Sequence, residues 1–240
     1  MKLLIDIGNT STKLAIADAS TLDLVHFERL HESWKSTLHR LVAEFPIDAI
    51  HLSTVAGKDQ ELLSCLDIIG IPHVWLTTDY QSKIKPITNI PSTYGVDRYA
   101  ADMGAVAQDP HSTLLVIDAG TCITYDLIAS DGRLLGGAIS PGVQLRLDSM
   151  HEHTAQLPAL QAIQCSELMG NDTATCMISS AVNGALFEME GYIRRLCRRY
   201  PDLHVFITVG NHLDLPKDLP CSVTFDSNLL FKGLAAIQLK

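Results

Sequence analysis

An acid and a glycine stand together where one apolar run gives way to polar residues. The stretch is Asp6-Ile7-Gly8-Asn9-Thr10-Ser11-Thr12-Lys13. Leu3-Leu4-Ile5 before it has no polar face and predicts a short strand buried on both sides. Asp6 ends that strand, and a carboxylate emerging from apolar surroundings needs a cation, a donor or water. Gly8-Asn9 provides a turn that tolerates φ > 0, and a second strand, 12–18, carries Lys13 away. Acid, backbone N–H groups, the Thr10 and Ser11 hydroxyls and one cation are the equipment for a nucleotide phosphate with its metal. A polar hairpin turn with no ligand fits the same residues.

The chain does this twice. Leu115 to Ile128, LVIDAGTCITYDLI, aligns without a gap on Leu3 to Ile16, LLIDIGNTSTKLAI, at an offset of 112. Asp118 falls on Asp6, Gly120 on Gly8 and Thr124 on Thr12. A repeat at half the chain length predicts two similar domains facing each other across a cleft. This resembles the superfamily of acetate and sugar kinases, Hsp70 and actin, where paired acid-Gly turns clamp ATP.

Two further stretches carry chemistry. In Tyr94-Gly95-Val96-Asp97-Arg98, an acid opens a helix. Asp97 fits an N-cap, worth about 0.5–2 kcal/mol, and equally a general base with Arg98 as an anchor for an anion or hydroxyl. Gly136-Gly137-Ala138-Ile139-Ser140-Pro141-Gly142 lies where a strand enters a helix; it fits either a tight turn or a close backbone approach.

The elements that must position these residues follow from hydrophobic period. Strands are expected at 24–30, 47–55 and 73–77, with helices at 58–69 and 97–108. A further helix, capped by Ser33, carries Trp34, Leu38, Leu41, Val42 and Phe45 at helical spacing. The loop 78–94 is long and aperiodic. In the second half, strands are expected at 114–118, 123–129, 133–140, 204–209 and 222–225, and helices at 143–153, 172–200 and 228–239. The fold class is α/β: two actin-like (RNase H-like) βββαβαβα domains flanking a nucleotide cleft, 1–111 and 112–240.

Composition narrows the function. The 240 residues suffice for real cores, and 47% hydrophobic with 19% charged means a globular chain. A net charge of −9 argues against a general binder of nucleic acid or anionic membrane. No apolar run approaches the ~18 residues a bilayer requires, and Asp6 interrupts any signal-like segment. Six cysteines without a C-x-x-C pair predict reduced thiols in the cytoplasm. His151-Glu152-His153 lacks partners at zinc spacing and reads as a polar helix surface.

DIGNTSTK, GVDR, DAGTCIT and GGAISPG, in this order and across nearly the whole chain, resemble the type III pantothenate kinases. The resemblance implies ATP-dependent phosphorylation of pantothenate, the first step of coenzyme A synthesis. It further implies Mg²⁺, a monovalent cation such as K⁺ or NH₄⁺, and a homodimer. By the same resemblance Asp6, Ile7, Gly8, Asn9, Thr10, Ser11, Thr12 and Lys13 form the ATP-phosphate loop, with Asp6 toward Mg²⁺. Gly95, Val96, Asp97 and Arg98 bind pantothenate, with Asp97 as proton acceptor. Asp118 holds the monovalent cation, Thr121 contacts ATP, and Thr173 contacts pantothenate near the subunit interface. The chain departs from the family pattern twice. Thr88-Asn89-Ile90-Pro91 stands where a substrate-contacting Tyr is usual, and Thr208-Val209-Gly210-Asn211 replaces a TGG turn. The rival functions are another small-molecule kinase or phosphohydrolase on this fold, and a non-catalytic nucleotide-binding regulator; the complete G-x-D-R favours pantothenate kinase.

Overall fold

The computed structural model describes residues 1–8, 11–18, 23–30, 34–54, 60–80, 85–162, 165, 167–209 and 215–237. Asn9 and Thr10 of the first turn, the Ser33 cap, and Gly210-Asn211 lie outside them. The chain divides into two units, Met1–Pro110 with Asn228 onward, and His111–Ser227.

In the first unit the sheet order is β3-β2-β1-β4-β5. Strand β1 (Lys2–Ile7) is central, and Leu3, Leu4 and Ile5 are buried as an apolar run without a polar face requires. β2 (Thr12–Ala17) and β3 (Leu24–Leu30) run antiparallel to their neighbours, while β4 (Ala49–Thr54) and β5 (His73–Trp75) are parallel. β3 alternates half-buried and exposed residues, as its sequence does. Helices α1 (Lys35–Glu44) and α2 (Gln60–Ile69) cover one sheet face, where Leu38, Leu41, Leu62 and Leu66 meet Leu3, Ile5, Leu14 and Ile16. Helix α3 (Val96–Gln108) packs on β4.

The second unit repeats the plan with the order β8-β7-β6-β9-β10. Its strands are β6 (Thr113–Ala119), β7 (Cys122–Ile128), β8 (Leu134–Pro141), β9 (Leu203–Val209) and β10 (Ser222–Phe225). Two helices, α4 (Val143–Glu152) and α5 (Thr173–Arg199), connect β8 to β9; among the described residues no helix separates β9 from β10. The apolar stripe of α5 is covered within this unit: Met177 and Ala181 meet Leu147, and Ala185, Met189 and Ile193 join the sheet core. No helix among the described residues is long and apolar enough to cross a membrane.

The last helix, α6 (Leu229–Ala236), departs from the 112–240 division, since it groups with the first unit. Its apolar residues Leu229, Phe231, Leu234 and Ala235 are buried there. Gly104 of α3 and Gly233 of α6 make this possible. A Cβ on Gly104 would collide with the Leu229 backbone, and one on Gly233 with the Ala100 backbone. The helix backbones touch directly.

Candidate active site

Asp6 lies one residue inside β1, not at its end, and is 4% exposed. Antiparallel pairing sets Lys13 opposite it on β2, and parallel pairing sets Ser53 opposite it on β4. Residues directly opposed in a sheet present their side chains on one face. Accordingly, Ser53 Oγ donates to Asp6 Oδ1 at 2.6 Å, and Lys13 Nζ reaches Oδ2 at 3.4 Å. Burial pushes the Asp6 carboxyl above its usual range; Lys13 and Ser53 oppose this, and the nearby charge of Asp97 adds to it. Gly8 N–H closes the turn on the Ser11 carbonyl at 3.1 Å.

Asp97 is not the N-cap of α3. Gly95 is, in extended conformation and without a side-chain cap. Asp97 lies in the first turn, where Oδ1 accepts from Arg98 N–H at 2.8 Å. A carboxylate there is favoured by the helix dipole. The Arg98 guanidinium lies over the Tyr94 ring, 4.4 Å from its centre, and the Tyr94 hydroxyl donates to Asp102 Oδ2 at 2.6 Å. Asp6, Lys13, Ser53, Asp97 and Arg98 thus all belong to the first unit.

The second unit holds Asp118, Thr121 and Thr173. The gap-free match of the two hairpins conceals a difference in pairing. Ile7 pairs with Thr12, whereas Ala119 pairs with Ile123, so the second hairpin closes one residue shorter. Asp118 therefore faces Thr124, not the Lys13 counterpart Tyr125, and on its other side β9 presents Thr208. A carboxylate flanked by two threonine positions replaces the lysine-paired acid of the first unit. Tyr125 instead donates to Glu188 at 2.9 Å, where Arg146 also bonds at 2.6 Å and Ser140 joins them. Burial would raise the Glu188 carboxyl, but these donors hold it below its usual range.

Gly142, the N-cap of α4, donates its N–H to the Thr121 carbonyl at 2.9 Å. A Cβ on Gly142 would enter the backbone of Gly120 and Thr121. The glycine run thus serves a close backbone approach, and the backbone approached is the chain's own hairpin. Thr173 is exposed at the first position of α5, after an Asp172–Thr175 capping box. His151 turns to the Leu157 carbonyl, and no cluster of three potential metal-binding His, Cys, Asp or Glu side chains occurs among the described residues.

Sequence reasoning missed Ser53 and Asp102, and named Thr208 only in an altered turn, not as the neighbour of Asp118. Ser53 and Thr208 are defined as neighbours only by parallel strand pairing, which no local pattern encodes. For Asp102 part of the signal was present: Arg98 and Asp102 are four apart on one stripe of α3, with Tyr94 just ahead of the helix.

Comparison with known proteins gives the family. The type III pantothenate kinase family model matches residues 2–195. A type III pantothenate kinase of Bacteroides fragilis is 34% identical over 239 residues, covering 99% of this chain and 97% of the relative. That of Phocaeicola vulgatus is 35% identical over 240 residues, with the same coverage. Among solved structures, a candidate 2-dehydro-3-deoxygalactonokinase from Sinorhizobium meliloti superposes with a TM-score of 0.60 at 15% identity, covering 98% of this chain and 97% of that one. The ethanolamine utilization protein EutJ from Carboxydothermus hydrogenoformans gives 0.55 at 13% identity, covering 98% and 89%. These two speak for the fold alone. The doubled acid-Gly hairpin, the G-x-D-R helix start and the whole-length match converge: the chain belongs to the type III pantothenate kinase family.

Proposed function

We propose that the protein transfers the γ-phosphoryl group of ATP to the primary hydroxyl of pantothenate, giving 4'-phosphopantothenate for coenzyme A synthesis. The observation that carries this reading is the pair of acids in one unit: Asp6, buried between Lys13 and Ser53, lies within electrostatic reach of Asp97 on α3. Phosphoryl transfer asks the protein chiefly for positioning and charge neutralisation. Lys13 and the turn from Asp6 through Ile7, Gly8, Asn9, Thr10, Ser11 and Thr12 hold the phosphates, with Thr121 as a further ATP contact. Asp97 accepts the hydroxyl proton as the new P–O bond forms. Gly95, Val96, Arg98 and Thr173 hold pantothenate, Arg98 as the cation for its oxygens.

The donor chemistry fits both cations. Mg²⁺ takes hard oxygens, usually one or two carboxylates with waters and phosphates. Asp6, an acid disfavoured in charged form by burial and by Asp97, suits it. When bound, the ion neutralises phosphate charge. A carboxylate between Thr124 and Thr208 suits a monovalent cation at Asp118, again through oxygen alone. We place the enzyme in the cytoplasm as a homodimer. Six free cysteines support the compartment. Family membership supports the dimer, as do Phe187, 57% exposed on α5, and Ile139, 63% exposed on β8.

The test is ADP formation with Mg²⁺, with and without pantothenate, in K⁺ and in Na⁺ buffer. We expect pantothenate-dependent turnover that is faster in K⁺. No dependence on pantothenate would overturn the substrate, and equal rates in the two salts would remove the cation role of Asp118.

A further inference from the structure

Beneath Arg98 lies a support that the reaction itself does not call for. Tyr94 ends the loop before α3, its N–H bonded to the Pro91 carbonyl at 3.0 Å, and only 9% of it is exposed. The ring carries the Arg98 guanidinium on one face, 4.4 Å from the centre. The hydroxyl enters the interior and donates to Asp102 Oδ2 at 2.6 Å, and Asp102 is fully buried. A buried carboxylate is costly unless its bonds compensate for lost water. A hydroxyl that donates to it is correspondingly hard to release. The Tyr94 ring is thus fixed at its far end, and an arginine lying on an aromatic face loses freedom of tilt as well as gaining attraction. At the other end of Arg98, its backbone N–H is held by Asp97 Oδ1 at 2.8 Å.

We propose that Tyr94 and Asp102 are positioning residues, Asp102 fixing the Tyr94 hydroxyl and the Tyr94 ring aiming the Arg98 guanidinium at the acid substrate. The proposal rests on the reading of Arg98 as the pantothenate anchor. It accounts for the missing upstream tyrosine differently from a simple replacement. Tyr94 does not take over a substrate contact, because its hydroxyl is committed to Asp102 and its face to Arg98. Its place is behind the cation.

A kinetic double-mutant cycle tests this. The kcat and the KM values for pantothenate and ATP are measured for wild type, Tyr94→Leu, Arg98→Met and the double variant. Tyr94→Leu, which removes the ring, should raise the pantothenate KM about tenfold, with a much smaller effect on kcat and none on the ATP KM. In the Arg98→Met background the same change should add less than about twofold, since the guanidinium it aims is gone. Tyr94→Phe keeps the stack and loses the tether, and should give a smaller rise, roughly threefold. Asp102→Asn still accepts the hydrogen bond of the Tyr94 hydroxyl and should fall closer to wild type than Tyr94→Phe.

An equal factor from Tyr94→Leu in both backgrounds, or an equal rise in the ATP KM, overturns the proposal in favour of general structural damage. Should Tyr94→Leu fail to fold, the cycle of Tyr94→Phe with Arg98→Met decides by the same criterion. A wild type whose ATP turnover ignores pantothenate overturns the functional reading and this proposal together; an active wild type with an additive cycle overturns only this one.

Discussion

The position a Cβ would occupy on Gly95 lies 2.5 Å from Oδ1 of Asp97. That oxygen folds back over the start of α3 to accept from Arg98 N–H, and only a residue without a side chain leaves it room. Gly95 has φ −64 and ψ 135, which any residue adopts, so its glycine answers to space and not to backbone conformation. Gly95→Ala should therefore fold with a stability loss below about 1 kcal/mol. Its kcat should fall about tenfold or more, because the carboxylate is pushed from its place. Thermal melting paired with steady-state kinetics checks both halves. Normal kcat would show that the placement of Oδ1 is unimportant.

Asp97→Asn separates charge from shape. The amide oxygen still accepts from Arg98 N–H, so the helix start survives, but the side chain no longer takes a proton. The expected outcome is normal melting, normal ATP binding and a loss of roughly 10²-fold in kcat, or about 2.7 kcal/mol of barrier. Turnover near wild type would leave the enzyme without its proton acceptor.

Asp6 ties function to a stability penalty. Burial raises its carboxyl, so the folded protein holds that proton to a higher pH than the unfolded chain, whose value is 3.8. Stability contributed by the protonated form is present below 3.8 and declines as the pH rises through the raised value. Asp6→Asn should thus melt above wild type at pH 7 in the absence of ligands, the difference shrinking toward acid pH, while ATP turnover is lost. Melting curves across pH reveal it; an Asn variant less stable than wild type at pH 7 would refute the sign.

His51 works in the opposite direction. It is fully buried on β4, its Nδ1 2.7 Å from the Leu234 carbonyl of α6. Burial pulls its pKa from 6.5 to about 4, against the Leu234 bond and with the charge of Lys2. The unfolded chain takes up this proton below about 6.5 and the folded protein only near 4, so stability present above 6.5 is lost as the pH falls through about 4. The span corresponds to about 3 kcal/mol. Urea unfolding at a series of pH values should show this loss in wild type and a flatter profile in His51→Asn. Parallel profiles would assign acid sensitivity elsewhere.

Gly233→Ala should be the most damaging single methyl in the first unit. The added carbon meets backbone of Ala100 and Gly104, which cannot swing aside as a side chain would. Forced separation of α3 and α6 should cost about 1–3 kcal/mol or more by urea melts. A loss below about 0.5 kcal/mol would mean that the helices shift freely.

Much of this was legible locally. Leu3-Leu4-Ile5 announces a buried strand, the alternation of 24–30 an outer one, and the repeat at 112 a doubled sheet. What stayed hidden depends on pairing between distant segments. The two hairpins match letter for letter in spacing, yet Asp118 meets Thr124 where Asp6 meets Lys13, because register follows how each turn closes. Asp97 looked like a cap because acids commonly cap; the Gly95 turn takes that position instead. The apolar face of α6 was visible, but nothing in its sequence names the unit it covers.

That last helix has a consequence for how the protein is made. A ribosome releases the chain from its N-terminal side onward, and domains generally fold as they emerge. The first unit begins first but acquires α6 only after the whole of 111–227 has been synthesised. Until then the glycine face of α3 and the His51 imidazole wait for their partner. The second unit, continuous in sequence, can complete itself earlier, and a ribosome that stops short of residue 229 leaves the first unit unfinished even though Asp6, Lys13 and Asp97 have all been made.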